Sequence, residues 1–280
     1  MKRPTWPFAL PTPLAILSRD TPAETLGEAE RDDFEFPGSL LRQSVRVLEG
    51  PAALSGSPLR APCPPSPGRR LAWDCGTGNG QAATGLAEHF EQVIATDPSE
   101  AQLAESFPHT HVSYRLGQEE SSGLPDGSAD LVTAAQAAHW FDLEAFYREA
   151  RRVLRPQGAI ALWCYGLCRI SREIDGLLSV FYVETVGPYW PPERHHIDAA
   201  YRTLPFPFEE FPFPPVAMEH HWNLHELASY LDTWSAVSGF RKKAGSDPLP
   251  PFIAAIEPVW GAPDKPRRIE WPLAVRAGHV

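Results

Sequence analysis

The sequence predicts an α/β fold built on a doubly wound parallel sheet. Between residues 71 and 165, short apolar runs alternate with helical spacings, the pattern of strands joined by crossover helices. Gly76, Gly78 and Gly80 separate the first apolar run from an Ala- and Leu-rich stretch, so the chain turns there through backbone conformations that a Cβ would forbid. Acids close the first two runs, Asp74 and Asp97, at the sheet edge where open α/β folds hold their ligands.

Taken in order, residues 1–69 offer helical spacing only at 38–48. The rest is proline, serine, glycine and charge, ending in the linker-like Ala-Pro-Cys-Pro-Pro-Ser-Pro-Gly of 61–68. Residues 1–69 are therefore expected to be a poorly ordered extension, with the folded domain at 70–280. A strand begins at Leu71, and a helix is expected over 81–90 with its first amides pointing into the glycine turn. Strands follow at 93–97 and 130–134. An amphipathic helix is expected over 141–154, with Phe146, Val153 and Leu154 on its apolar side, and then a strand at 159–163. Residues 166–215 read as an insertion. A helix is expected at 174–186, carrying Leu177, Leu178, Phe181 and Tyr182 on one face, followed by proline- and aromatic-rich segments at 188–192 and 205–215 that suit pocket walls better than sheets. Residues 216–222 alternate as a strand. Asn223 with Glu226 forms a capping box ahead of Leu227, Tyr230, Leu231, Trp234 and Val237 at helical spacing. The last strand, 268–275, contains Pro272, which an edge position tolerates.

The glycine turn narrows the ligand. A dinucleotide fingerprint requires Gly-x-Gly-x-x-Gly, and counting from Gly76 places Gln81 at the last position. No Gly-Lys-Ser/Thr follows, which excludes a phosphate-binding P-loop. The run is Asp-x-Gly-x-Gly-x-Gly. A carboxylate beside such a loop repels a pyrophosphate and attracts an ammonium group, which favours a nucleoside bearing an amino acid over NAD.

Residues 74–80 resemble motif I of the class I S-adenosylmethionine-dependent methyltransferases, of the methyltransferase type 11 domain kind. Further landmarks keep order: Asp97 lies 23 residues after Asp74, and 124–132 and 155–163 are similar to the family's approaches to its fourth and fifth strands. The Ala-Gln-Ala-Ala-His-Trp-Phe of 135–141 resembles the trans-aconitate methyltransferase-like subgroup. The likeness is strong over 71–165, weaker to the C-terminus and absent before residue 70, where the family's covering helix is not found. It implies a Rossmann-like seven-stranded sheet whose last strand pairs antiparallel at the edge, with an insertion after the fifth strand lying over the active site. It also implies S-adenosyl-L-methionine as cofactor. Gly76, Thr77, Gly78, Asn79 and Gly80 would form its loop and Asp74 would meet its ammonium group, directly or through water. Asp97, followed by Pro98 and Ser99, would take the ribose. One of Glu119 and Glu120 would flank the adenine, and Gln136 would belong to the cofactor site or the pocket. His139 would be the catalytic residue and, with Trp140, would bind substrate.

Methyl transfer from a sulfonium is an in-line displacement, so alignment and water exclusion matter most, together contributing up to about 7–11 kcal/mol in well-oriented systems. Toward a carboxylate acceptor, His139 would donate a hydrogen bond; toward a hydroxyl, it would act as base. A histidine that packs below the pocket is the plainer alternative. A chain that binds the nucleoside with little turnover, in a regulatory or binding role, is the alternative function; an NAD-dependent enzyme is disfavoured by Gln81. The pairs His195-His196 and His220-His221, with His225, do not make a metal site, because residues 220 and 221 point to opposite faces of a strand. No metal is expected.

A net charge of −10 argues against nucleic-acid or anionic-membrane partners and leaves a small-molecule methyl acceptor. The four cysteines form no Cys-x-x-Cys and read as reduced thiols of a cytoplasmic protein. Pro11 and Pro13 interrupt the apolar run at 8–17, so no signal peptide is expected, and no run reaches membrane-spanning length. Neither the acceptor's identity nor the oligomeric state is legible.

Overall fold

A computed structural model describes Ser66 and residues 68–280. The helical spacing at 38–48 and nearly all of the linker-like stretch at 61–68 lie outside the described residues.

The elements run β1 (Leu71–Cys75), α1 (Gln81–Leu86), β2 (Gln92–Asp97), α2 (Glu100–Ala104), β3 (Val112–Leu116), β4 (Ala129–Ala135), a 3₁₀ turn (Ala138–Trp140), α3 (Leu143–Val153) and β5 (Leu154–Tyr165). Beyond them come α4 (Arg172–Val180), α5 (Arg194–Asp198), β6 (Glu209–Phe211), β7 (Val216–Trp222), α6 (Leu224–Asp232), α7 (Ser235–Ala244), α8 (Leu249–Trp260) and β8 (Arg267–His279). The sheet order is β3-β2-β1-β4-β5-β8, with β1 to β5 parallel and β8 antiparallel. On the far side of β8, β7 pairs with its first half and β6 with its last three residues, so the two short strands share the seventh position.

Strand parity assigns the two faces. Trp73, Ile94, Val132, Ile160 and Leu162 pack with Phe146, Ala150 and Val153 of α3. Ala72, Val93, Ala95, Leu131 and Ala159 pack with Ala83 and Leu86 of α1. Helix α3 starts at Leu143, where Asp142 accepts from the Ala145 N–H, two residues later than its apolar spacing suggests. Helix α1 ends at Leu86 instead of near 90, because the chain leaves it to bury Phe90 in the core.

A second core joins the insertion to the C-terminal helices. Phe181 stacks on Phe252 at 4.1 Å, and Trp271 of β8 meets Trp222 of β7 and Tyr230 of α6 ring to edge, those two being tilted against each other. The expected helix at 174–186 is α4 followed by a π-helical turn over Phe181–Thr185. The capping box at Asn223 forms as expected, with both hydrogen bonds at 2.8–2.9 Å, but the helix behind it breaks at Thr233 and Trp234 into α6 and α7. Helix α8 and strand β6 were not anticipated by the periodicity; β6 occupies the one proline-free stretch within 205–215.

Strand β8 is not the sheet edge that the family resemblance implied, since β5 and β6/β7 flank it. Pro272 is still accommodated. Glu270 donates its N–H to Arg169 on the β5 side, and residue 272 faces the same way, one position past the end of the β5 ladder at Leu273.

Asp130 ties the two central strands together at the sheet's opposite end from the glycine turn. It is fully buried, accepts from the Arg70 and Leu71 amides at 2.8 and 3.0 Å, and pairs with Arg155 at 2.6 Å. Asp130→Ala leaves an arginine and two amides without their acceptor, so we expect a loss of about 3–5 kcal/mol in urea unfolding. A loss below about 1 kcal/mol would show that water replaces the carboxylate there.

Candidate active site

The order reversal between β1 and β4 opens the sheet at the C-terminal ends of these strands, and the glycine turn lies at that opening. At Gly80, φ is +89° and a Cβ would lie 2.1 Å from the Tyr114 hydroxyl, so only glycine lets α1 start there. At Gly78, φ is +58°, yet the nearest atom to a Cβ would be Gln102 Oε1 at 4.0 Å. The space over Gly78 is open, and a ligand can approach the backbone closely.

The loop is held from both sides by carboxylates. Asp74 is fully buried, and the Thr77 and Thr133 hydroxyls each donate to it at 2.6 Å. Asp97 accepts from the Gly78 N–H at 2.8 Å and the Ser99 N–H at 2.9 Å. Two bonds leave lone pairs on a carboxylate that has about four. Asn79 is buried and its carbonyl accepts from the Phe107 N–H; Pro98 is exposed; Ser99 caps α2 through Gln102. Glu119 is half-buried and accepts from the Asp142 N–H at 2.9 Å, whereas Glu120 is exposed. Asp74, Asp97 and Glu119 all raise the pKa of the Cys75 thiol, behind burial in the case of each, so three of the candidate acids share one neighbourhood.

The other wall follows β4. Gln136, at φ +54°, clamps the Tyr165 backbone with both ends of its amide, at 2.9 and 3.1 Å, so this side chain ties β4 to β5. Next, the 3₁₀ turn presents His139 half-buried and Trp140 55% exposed, their rings 4.9 Å apart. His139 Nδ1 lies 2.9 Å from the Tyr201 hydroxyl, and Tyr201 has no exposed surface. Arg194 stacks over Trp190 and Tyr182 at 4.4 and 5.2 Å and donates from Nε to the Tyr182 hydroxyl. Trp190 keeps a buried indole N–H without a partner among the described side chains.

Known proteins agree with this geometry. Residues 73–162 match the family described as Methyltransferase domain. A Dictyostelium discoideum protein named as a candidate methyltransferase is 39% identical over 185 residues, 65% of this chain and 70% of that relative. Methyltransferase cfoB of Aspergillus candidus is 36% identical over 71% of this chain and 70% of its own length. The solved structure of a candidate type II methyltransferase from Anaeromyxobacter dehalogenans superposes with a TM-score of 0.74 at 42% identity, covering 87% of this chain and 96% of that one. The chain belongs to the class I S-adenosylmethionine-dependent methyltransferases.

The methyltransferase's loop fits this cofactor on its own chemistry. Acids surround the turn where a cationic amino-acid tail and ribose hydroxyls want acceptors, and no side chain fills the space over Gly78. The two carboxylates nearest the turn also feel each other. Burial pushes the Asp74 carboxyl from 3.8 up to about 6; the Thr133 and Thr77 hydrogen bonds oppose that rise, and the Asp97 charge adds to it. Asp74 has no exposed surface, and its two hydroxyl partners tie it to the glycine turn and to β4. On the opposite wall, burial, then Arg194 and His196, lower His139 to about 4, so its ring is neutral at physiological pH.

Thr133, Arg194 and Tyr201 were not singled out in the sequence. Thr133 left a trace, a hydroxyl inside an apolar strand. Arg194 and Tyr201 left none, because the insertion carries no motif and Tyr201 is placed by a turn that its sequence does not announce.

Because the folded value of Asp74 lies above its unfolded one, its cost to stability is absent below pH about 4, grows between about 4 and 6, and is complete above that. Asp74→Asn retains an acceptor for one threonine and removes the charge. It is expected to raise the unfolding midpoint more at pH about 7.5 than at pH about 4.5. Equal changes at both pH values would mean that Asp74 titrates normally.

Proposed function

We propose that the methyltransferase acts on a small molecule through a carboxylate or hydroxyl oxygen. The acceptor would lie between the 3₁₀ turn and the insertion at 166–215. The observation that carries this reading is His139, half-buried beneath Tyr201 and near Arg194, both from the insertion. A covered site of this kind suits a small acceptor, and a net charge of −10 disfavours a nucleic acid. The likeness of residues 135–141 to the trans-aconitate methyltransferase-like subgroup supports a carboxylate.

In this reading Asp97 takes the ribose hydroxyls with its remaining lone pairs, and Pro98 and Ser99 shape the chain beside it. The backbone of Gly76, Thr77, Gly78, Asn79 and Gly80 cradles the amino-acid tail, and Asp74 holds that loop and supplies the negative field for the ammonium. Glu119 stands at the adenine side, with Glu120 in solvent. Gln136 fixes the β4–β5 end that forms the floor, and Trp140 covers the mouth. When bound, the cofactor supplies a methyl carbon on a sulfonium, ready for displacement by an acceptor lone pair. The protein's own work is to align the acceptor and keep water away. Residues 70–280 form the methyltransferase domain in this assignment, with 1–69 as an extension. Among the described residues, Cys75, Cys164 and Cys168 are buried and form no disulfide, which supports a cytoplasmic setting. Among the described residues, no helix is long and apolar enough to cross a membrane.

Calorimetry with S-adenosylhomocysteine tests the cofactor half, and transfer of a labelled methyl group to a small-molecule panel tests the acceptor half. Micromolar binding is expected, weakened roughly ten- to hundredfold by Asp97→Ala, since hydrogen bonds to a charged group are worth about 1.5–3 kcal/mol. Gly78→Ala should weaken binding by at least about tenfold while costing about 1 kcal/mol of stability, because φ is positive but the space is open. His139→Ala should leave binding nearly intact and cut turnover. Tight binding with no transfer to any acceptor would favour a regulatory nucleoside-binding protein.

A further inference from the structure

The segment that covers His139 reaches it by an unusual backbone. Ala200 and Tyr201 are consecutive non-glycine residues at φ +55° and +59°, a left-handed pair that L side chains avoid. The Ala200 N–H donates to Ile197 and the Tyr201 N–H to His196, both at 2.8 Å, which closes α5 and turns Tyr201 back into the core. The result is a phenol with no exposed surface, 2.9 Å from His139 Nδ1. Positions of this sort, held by their surroundings against local preference, gather where a side chain must be aimed.

The direction of that hydrogen bond follows from the groups around it. His139 Nδ1 is the one hydrogen-bond partner of the Tyr201 hydroxyl among the described residues, and a phenol proton buried without exposed surface needs an acceptor, so the O–H donates to Nδ1. Burial holds the phenol protonated. The charged and titratable groups facing the imidazole are Arg194 and His196 of α5 and Tyr201 itself, with Cys164 of β5 behind the tyrosine. The two from α5 disfavour an imidazolium. A neutral ring that accepts at Nδ1 carries its proton on Nε2, and Nε2 makes no hydrogen bond among the described residues.

We propose that Tyr201 is a positioning residue that locks His139 as the Nε2–H tautomer, a hydrogen-bond donor to an acceptor that arrives already ionised, a carboxylate. The ring has no lone pair left with which to remove a proton, so it cannot serve a hydroxyl acceptor as base. A carboxylate needs none: its oxygen lone pair forms the C–O bond, the C–S pair stays on sulfur, and an ester and a neutral thioether result with no proton to place. Arg194 supports the same class: its Nε faces Tyr182 and, at 3.6 Å, Asp198, while its Nη groups make no hydrogen bond among the described residues and its charge lies close to His139. The acceptor half of this proposal rests on the methyl-transfer reading above; the tautomer half does not.

The test uses the full-length chain with ¹⁵N-labelled histidine. Long-range ¹H–¹⁵N spectra are recorded for wild type and Tyr201→Phe, with His139→Gln to assign the signals. Wild type should show an unprotonated Nδ1 and a protonated Nε2, unchanged between pH about 6 and 8. Tyr201→Phe should shift the ring toward a tautomer mixture. A protonated Nδ1 in wild type overturns the proposal, and that spectrum decides even if the variant fails to fold. With labelled cofactor, carboxylic acids in a mixed panel of acids, phenols and alcohols should be methylated at a rate independent of pH above about 6. Tyr201→Phe should slow this roughly tenfold with S-adenosylhomocysteine affinity kept within about twofold. Methylation of a phenol or alcohol that rises with pH, or no carboxylate methylated despite tight S-adenosylhomocysteine binding, overturns the acceptor class. Failure to bind S-adenosylhomocysteine would instead overturn the methyl-transfer reading and leave the tautomer result standing.

Discussion

Asp74 sits at the end of β1 with no exposed surface, and the hydroxyls that hold it belong to two other segments: Thr77 in the glycine turn and Thr133 in β4. One side chain therefore fixes how the turn leaves the first strand and how that strand's end meets its neighbour. The arrangement is costly. Hydrogen bonds to a charged group are worth about 1.5–3 kcal/mol each, yet burial still lifts this carboxyl to about 6, so two of them do not offset the desolvation. A positive charge brought to the turn would relieve that cost. A ligand carrying an ammonium or sulfonium then stabilises the fold through the same carboxylate that shapes its site, and binding and stability become one linked quantity.

The topology decides what else stands near that carboxylate. Strands β1 and β4 part at the order reversal, and β1 to β4 run parallel, so the loops after all four open on the same side. That places Asp97 against the Gly78 amide, Glu119 against the Asp142 amide and the 3₁₀ turn opposite the glycines. The first two contacts are carboxylate to backbone N–H, a pairing that fixes loops without needing a particular neighbouring side chain. The Gln136 clamp does the same work on the other wall, where its amide replaces a backbone pair at the end of the β4–β5 ladder.

How much of this was legible follows from the range of the forces involved. Local signals read well: the capping box at Asn223, the strand at 216–222 and the glycine turn depend on residues within a few positions of each other. Which of Glu119 and Glu120 turns inward did not, because Glu119 is held by an amide 23 residues away. Strand β8 was found but misplaced at the edge, since the pairing of β7 and β6 along its outer side is a tertiary contact that no local pattern announces. The reach of Tyr201 to His139 was invisible for a different reason. A left-handed Ala-Tyr pair contradicts local preference, and only tertiary contacts impose it.

The site divides by charge, and that division bears on the order in which ligands fit. Around the glycine turn the fixed groups are acids: Asp74, Asp97 and Glu119. Around the 3₁₀ turn they are Arg194 and rings held neutral by burial, His139 first among them. A cationic cofactor and an anionic acceptor would then each face complementary walls, and each would lessen the other's desolvation as water leaves the space between them. Neither wall does this alone. The acids without a cation keep a carboxyl at the edge of protonation, and Arg194, whose Nε lies 3.6 Å from Asp198, leaves its Nη donors without hydrogen-bond partners among the described residues. A molecule with net charge −10 repels an anionic acceptor at long range, so Arg194 has to act locally, where burial has removed the screening water. In the proposed reading the insertion would be more than a cover, because Arg194 brings a guanidinium to an end of the sheet that is otherwise lined with acids, with Asp198 beside it.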